Sequence, residues 1–257
     1  DFVAARAQSN FDQPPVWINL EYLSAEGFVE RCHGLPSPVL SGPAKGLSKW
    51  FYYPGLDAQS GGLLSRTFPS NVSNTVARRN LRISVFCYEP AGLGLWLVQL
   101  SKLPRKAYLH VTAGRSTAAV KEAALSMEVS GLGLEFLDYM SQLDYDSLLA
   151  GMDLNLVRGE DSLVRAMCAG KPFLWQIYPQ HDGAHLPKLQ AFLAETGAPP
   201  VVVQAHLAWN ASEPQTLPEL SPAHLAEWSA WAAQLQAELA IQTGLTERLT
   251  GFVAAKG

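Results

Sequence analysis

Between residues 81 and 205, short apolar runs of strand length alternate with segments of helical periodicity, and this alternation restricts the possible folds more than any other feature. RISVFCY (82–88), AYLHV (107–111), LEFL (134–137), LNLV (154–157) and FLWQIY (173–178) are bounded by glycine, proline or polar clusters, and VVVQ (201–204) reads as a further strand. Strands that are apolar along most of their length have both faces covered. The pattern therefore predicts a parallel sheet with helical crossovers, an α/β fold of Rossmann-like type. Helices are expected within 89–103 and over 144–152, 162–169, 188–195 and 222–242, the last with Ser221 as N-cap and Pro222 at its first position. The stretch after 111 reads as a variable segment with several glycines, to which no element is assigned. Ahead of this layer, Val16–Leu20 reads as a strand and Ser24 as the cap of a helix through Cys32. Residues 35–80, rich in Gly, Pro and Ser, read as an irregular surface segment or linker with an aromatic knot, KWFYYPGL, at 49–56.

With 257 residues, 48% of them apolar, the chain can bury a sizeable core in one or two domains. A net charge of -4 offers no basic footprint for nucleic acid. Three cysteines, Cys32, Cys87 and Cys168, are an odd number without paired spacing, so a disulfide framework or zinc ribbon is not expected and a reducing cytoplasm is. Apolar stretches are interrupted before the ~20 residues that span a bilayer, so no membrane association is expected. Two glycosylation-type triplets, at Asn71 and Asn210, matter only in a secreted protein. The chain opens without methionine and runs almost at once into VWINL, which reads as the middle of a longer protein.

The segment DLNLVRGEDSLVRAM (153–167) concentrates the chemistry. Val157 ends a strand, Arg158-Gly159 make the turn, and Asp161-Ser162 open a helix. In parallel α/β sheets ligands sit beyond the carboxyl ends of strands, and a following helix presents unpaired N–H groups and a positive dipole end to an anion. The arrangement suits a diphosphate: Gly159 permits close backbone approach, Ser162 offers a hydroxyl and an N–H, and Arg158 adds charge. The plainer alternative is that Glu160 and Asp161 simply complement the helix N-terminus, worth about 0.3–1 kcal/mol, with Arg158 paired to one of them.

Other motifs carry less. GLGLW (92–96) lacks the G-x-G-x-x-G spacing, and neither a P-loop nor G-x-S-x-G occurs. His181 and His185 have metal-like spacing, but Gly183 lies between them and no third ligand is evident, so no metal is expected. Asp144 reads as a helix N-cap, and Trp228 and Trp231 as packing residues on one helix face.

Taken together, WINLEYLSAEGFVERCHGLPSP (17–38), KWFYYPGLDAQSGGLL (49–64), FCYEP (86–90), SQLDYDSLL (141–149) and DLNLVRGEDSLVRAMCAGKPFLWQIYPQHDGAHLPKLQAFL (153–193) resemble the EarP family, protein-arginine rhamnosyltransferases that modify translation elongation factor P. The resemblance implies a GT-B glycosyltransferase with two Rossmann-like domains. Residues 1–80 would be the remainder of the N-terminal, acceptor-side domain and linker. Residues 81–220 would form the C-terminal nucleotide-sugar domain, and 221–257 C-terminal helices packing back toward the first. It further implies an inverting transfer of rhamnose from TDP-β-L-rhamnose to an arginine of elongation factor P, without metal or other cofactor.

Arg158, Gly159, Asp161 and Ser162 would then seat the donor's diphosphate and sugar, while Glu160 faces the reaction centre as the catalytic carboxylate. Gln142, with the backbone around Tyr139 and Met140, would read the thymine ring, and Tyr88 would stack on the nucleotide. The family's pair of N-terminal aspartates, one of them the implied general base, is absent from this sequence, so the chain alone is expected to hold donor and lack transfer activity. Two alternatives stay open: a GT-B enzyme with another nucleotide-sugar and a small acceptor, and a non-catalytic nucleotide-binding module.

Overall fold

A computed structural model describes residues 16–64 and 80–256, in two compact units: residues 1–65 with 241–257, and residues 66–240. In the first, β1 (Trp17–Leu20) lies parallel to β3 (Ser48–Tyr52), and β2 (Pro36–Pro38) pairs antiparallel with the other edge of β3. The segment expected to be irregular thus contains two strands, because the aromatic run SKWFY fits a half-buried pleated surface despite its flanking glycines and prolines, and Tyr52 is fully buried. The short helix α1 (Phe28–Cys32) starts after Gly27 rather than at Ser24, whose hydroxyl instead donates to Glu26 Oε2 at 2.9 Å. The chain returns to this unit with its last helix. Phe252 of α9 (Leu245–Lys256) meets the Tyr52 ring at 5.3 Å, and Arg248 donates from Nη1 to the carbonyls of Asp57, Ala58 and Ser60.

The second unit is a parallel sheet of five strands: β4 (Leu81–Val85), β5 (Ala107–Val111), β6 (Gly133–Phe136), β7 (Leu154–Arg158) and β8 (Phe173–Gln176). The spatial order is β6-β5-β4-β7-β8. The chain winds outward from β4 to β6, then crosses back to the other side of β4, so β4 and β7 form the switch point where an open α/β sheet leaves a crevice. Ile83, Val85, Leu109, Val111, Leu156 and Leu174 are fully buried, as the apolar runs require. At the switch point Ser84 donates to Asn155 Oδ1 at 2.6 Å, and Asn155 Nδ2 donates to the Leu149 carbonyl at 3.0 Å.

Seven helices flank these strands among the described residues: α2 (Leu93–Ser101), α3 (Arg115–Ser126), α4 (Gln142–Gly151), α5 (Asp161–Ala169), α6 (His185–Glu195), α7 (Pro200–Trp209) and α8 (Pro222–Ala240). Here the structure adds one helix to an unassigned stretch and overturns one sequence expectation. The stretch after 111 holds α3, whose burial of Ser116, Ala119 and Val120 follows helical spacing that its small residues hid. VVVQ is helix α7, not a strand. Pro200 at its first position pre-sets the helical φ, and Val201, Val202, Ala205, His206 and Trp209 are buried at helical spacing, which overrides the β preference of valine. Ser221 does cap α8, accepting from the His224 N–H at 3.1 Å.

The compact units divide at 65 and 240 where limits of 80 and 220 were expected, and α8 is anchored in the second unit. Its Trp228 donates to the Phe173 carbonyl and Trp231 to that of Thr196. Asn210 is likewise structural, with Nδ2 on the carbonyls of Trp175 and His206, whereas Asn71 lies outside the described residues.

The aromatic seat of α8 encloses His206. Its Nδ1 bonds to the Val202 carbonyl at 2.8 Å, its Nε2 is buried without a partner, and Phe173, Trp228 and Trp231 surround the ring. Burial holds its pKa down to about 4, against 6.5 for an exposed histidine. Unfolding lets the ring take up a proton anywhere between these values, so this contribution to stability is complete above pH ~6.5 and is lost as pH falls toward 4, on the order of 3 kcal/mol in all. His206→Phe is expected to flatten the fall in denaturation midpoint between pH 7 and pH 4.5 relative to the parent. An unchanged slope would place that acid sensitivity elsewhere.

A candidate functional site at the strand switch point

Beyond the carboxyl ends of β4 and β7 lies a cleft of about 700 Å³, wholly within the second unit. Tyr88, Tyr139, Met140, Gln142, Arg158, Gly159, Glu160, Asp161 and Ser162 all line it, so every site residue singled out from the sequence reaches one cavity. Three helix N-termini open there, those of α3, α4 and α5, and their first N–H groups have no acceptor inside their own helices.

The corner between β7 and α5 is built around Gly159 and Ser162. Gly159 has φ +63°, a left-handed conformation that costs a residue with a Cβ about 1–2 kcal/mol. A Cβ there would meet the Tyr88 hydroxyl at an ordinary contact distance of 3.5 Å, so it is conformation and not space that calls for glycine. Ser162 Oγ accepts from the Arg158 N–H at 3.1 Å and donates to the Arg158 carbonyl. Its hydroxyl is thus committed to the corner, leaving its backbone N–H for a ligand. On the far side the Trp175 indole donates to the Gly159 carbonyl at 2.7 Å, which fixes the Gly159–Glu160 peptide.

Arg158 turns its guanidinium toward β4. It lies 4.3 Å from the Phe86 ring centroid and 4.6 Å from that of Tyr88, and donates to the Cys87 carbonyl. The sequence alternative in which Arg158 pairs with Glu160 or Asp161 does not hold, since both acids go to other cations. Glu160 Oε1 accepts from Lys188 Nζ at 2.9 Å, and Asp161 Oδ2 from Arg165 Nε at 2.7 Å. Tyr88 donates its N–H to Gln176 Oε1, and its ring also meets the Arg115 guanidinium at 5.1 Å and Tyr178 edge-on at 5.6 Å. Burial pushes the Tyr88 phenol up, with Arg158 and Arg115 working against it. Cys87, hydrogen-bonded through its backbone to Ser116 of α3, has a thiol driven by burial up to about 12, an inert group at neutral pH.

Across the cleft, Ser141 caps α4: its Oγ accepts from the Asp144 N–H at 3.2 Å and donates to Asp144 Oδ2 at 2.7 Å. Asp144 is therefore in the first turn, not the N-cap. Gln142 is the first residue of α4, and Tyr139 stands almost free in solvent on the approach from β6. His185, whose spacing from His181 raised a metal, accepts from the Gln180 N–H, and no group of three metal-ligating side chains occurs among the described residues.

Four residues that sequence reasoning missed complete the site. Arg115, in the stretch to which the sequence assigned no element, lines the cleft and forms a two-point pair with Glu89, whose carboxyl it holds below the ordinary range. Lys188 holds Glu160. Arg165 and Tyr145 form the floor. Arg165, 1% exposed, bridges Asp161 to Asp146, with Nη1 to Asp146 Oδ1 at 2.6 Å. Burial opposes its charge, but the two carboxylates outweigh that and raise its pKa. Arg165 Nη2 and Tyr145 Oη are buried without hydrogen-bond partners. The i, i+4 spacing of Asp161 and Arg165 was the available signal for this pair.

Breaking a buried pair strands the surviving charge, at a cost of roughly 3–5 kcal/mol. Arg165→Met is thus expected to lower unfolding free energy by about 3 kcal/mol or more in denaturant titrations. A loss under about 1 kcal/mol would mean that the floor does not depend on Arg165.

A family model described as Elongation-Factor P (EF-P) rhamnosyltransferase EarP matches residues 1–254. The chain is 41% identical over 208 aligned positions to a protein-arginine rhamnosyltransferase of Pseudomonas putida, covering 71% of this chain and 54% of that protein. It is 38% identical over 275 aligned positions to one of Pseudomonas aeruginosa, covering 94% of this chain and 72% of the relative. The chain thus spans about half the length of the first and under three quarters of the second. A solved structure described as the structural basis for EarP-mediated arginine glycosylation of translation elongation factor EF-P superposes with a TM-score of 0.63 and 28% identity, over 79% of this chain and 75% of that one. The fold class is α/β of the GT-B glycosyltransferase type, as the sequence led one to expect.

Proposed function

The chain belongs to the EF-P rhamnosyltransferase EarP family, and from that premise we propose that it transfers L-rhamnose from TDP-β-L-rhamnose, with inversion, to an arginine side chain of elongation factor P in the cytoplasm. One observation carries this reading. The R-G-E-D-S corner, Tyr88 and the Tyr139–Gln142 segment, far apart in sequence, line one cleft at the switch point.

In the reaction the bond between sugar C1 and the diphosphate oxygen breaks, its electron pair leaving with TDP, while an arginine nitrogen forms the new bond to C1 and loses a proton. Positive charge grows at C1 and negative charge on the diphosphate. Arg158 and the N–H groups of Asp161 and Ser162 are assigned to the diphosphate, in a position to favour departure without a metal. Glu160, on the same corner, is assigned to the reaction centre, where a carboxylate favours the cationic sugar and the approaching guanidinium. Gln142 and the Tyr139–Met140 backbone are assigned to the thymine, and Tyr88 to the nucleotide. A guanidine stays protonated at neutral pH, so the acceptor also needs a base, and that role is left to groups outside the cleft described here.

Glu160→Gln in the full-length protein is expected to bind TDP within about twofold of the parent, yet to transfer rhamnose to elongation factor P at least about 100-fold more slowly, as read by intact mass. Equal losses of TDP affinity and rate would make Glu160 a donor-binding or structural group instead.

A further inference from the structure

Glu160 is gripped from outside the cleft, and the grip belongs to neither the R-G-E-D-S corner nor the nucleotide contacts. Its side chain is only partly exposed, at 34%, and its Oε1 takes a hydrogen bond from Lys188 Nζ at 2.9 Å, itself 19% exposed. Lys188 lies on the first turn of α6, following the turn in which Gly183 has φ +74° and the Ala184 N–H bonds to Asp182 Oδ1. One helical turn further on, on the same face, Phe192 packs edge-on against Trp175 with ring centroids 5.2 Å apart. The Trp175 indole in turn donates to the carbonyl of Gly159. One helix thus reaches the Glu160 residue by two routes, through Trp175 to its backbone and through Lys188 to its carboxylate.

The geometry points to Lys188 as a positioning residue that acts through Glu160. Resting on the assignment of Glu160 to the reaction centre, this inference gives α6 a role in chemistry rather than in nucleotide binding. A free glutamate at a helix start samples several rotamers, and catalytic gain from a charged group depends on its being held where charge develops, before the charge appears. The Lys188 ammonium holds Glu160 Oε1 and so favours one rotamer of the carboxylate assigned to face the substrate. Lysine reaches from α6 as a single point charge on a flexible stem. Arginine has the length and charge to replace it in part, and methionine has neither charge nor donors.

The test uses the full-length protein with elongation factor P as acceptor and compares Lys188→Met, Lys188→Arg and Glu160→Gln. Lys188→Met is expected to lower kcat at least tenfold while the KM for TDP-rhamnose and the affinity for TDP stay within about twofold. Lys188→Arg should recover a substantial part of kcat, and adding Lys188→Met to Glu160→Gln should cause no further loss. A parental kcat in Lys188→Met, beside an inactive Glu160→Gln, overturns the inference and leaves the role of Glu160 standing. So does a Lys188→Met defect that appears equally in KM and TDP affinity, or one that Lys188→Arg shares in full along with a lowered melting temperature. If Glu160→Gln itself transfers rhamnose normally, the reading beneath the inference falls first and the inference with it.

Discussion

The buried contact between Ser84 and Asn155 joins the two strands on which everything else is hung. Two neighbouring parallel strands that are apolar on both faces carry little in their side chains to set their register, since a slip exchanges one aliphatic residue for another. A hydroxyl donating to a carboxamide at 2.6 Å, with both residues completely buried, makes one register far better than its neighbours. Asn155 then donates from its side-chain Nδ2 to the Leu149 carbonyl, so the end of α4 is tied to the same point. The carboxyl ends of β4 and β7, and thus Tyr88 and Arg158, follow from that alignment.

From this frame the charges fall into two groups. Arg158 and Arg115 lie against the Tyr88 ring on the open side. Arg165 lies beneath, locked to Asp146 and Asp161. The buried group is a risk in energetic terms, since an ion pair removed from water is stable only while its geometry is complete. It commits the Asp161 carboxylate to Arg165, one turn along α5. Glu160 is held in the same way by Lys188. Both acids of the corner are thus already paired with cations.

Much of this was legible in the sequence for a physical reason. The strands β4, β5, β7 and β8 are short apolar runs with clear punctuation, and R-G-E-D-S at the end of one of them has only one place to go in a parallel sheet. The misses share a cause too. Helix α7 was hidden by three consecutive valines, whose β preference is weaker than burial at helical spacing after a proline. Helix α3 was hidden by alanine, serine and threonine, which carry little periodic signal, and with it went Arg115. Lys188 could not be seen at all, because its partner is 28 residues away and only the packing of Phe192 on Trp175 brings them together. The alternation of strand and helix thus located the crevice, while the side chains that hold its acids in place depend on tertiary contacts.

The central claim is that the switch-point cleft is a seat for a thymidine diphosphate. It is tested most directly by calorimetric titration of TDP and of thymidine into the parent protein and into Arg158→Ala, each checked for folding by circular dichroism. The parent is expected to bind TDP much more tightly than thymidine, and Arg158→Ala to remove most of that difference. A folded parent that does not distinguish TDP from thymidine, or an Arg158→Ala variant that binds TDP as well as the parent, would contradict it.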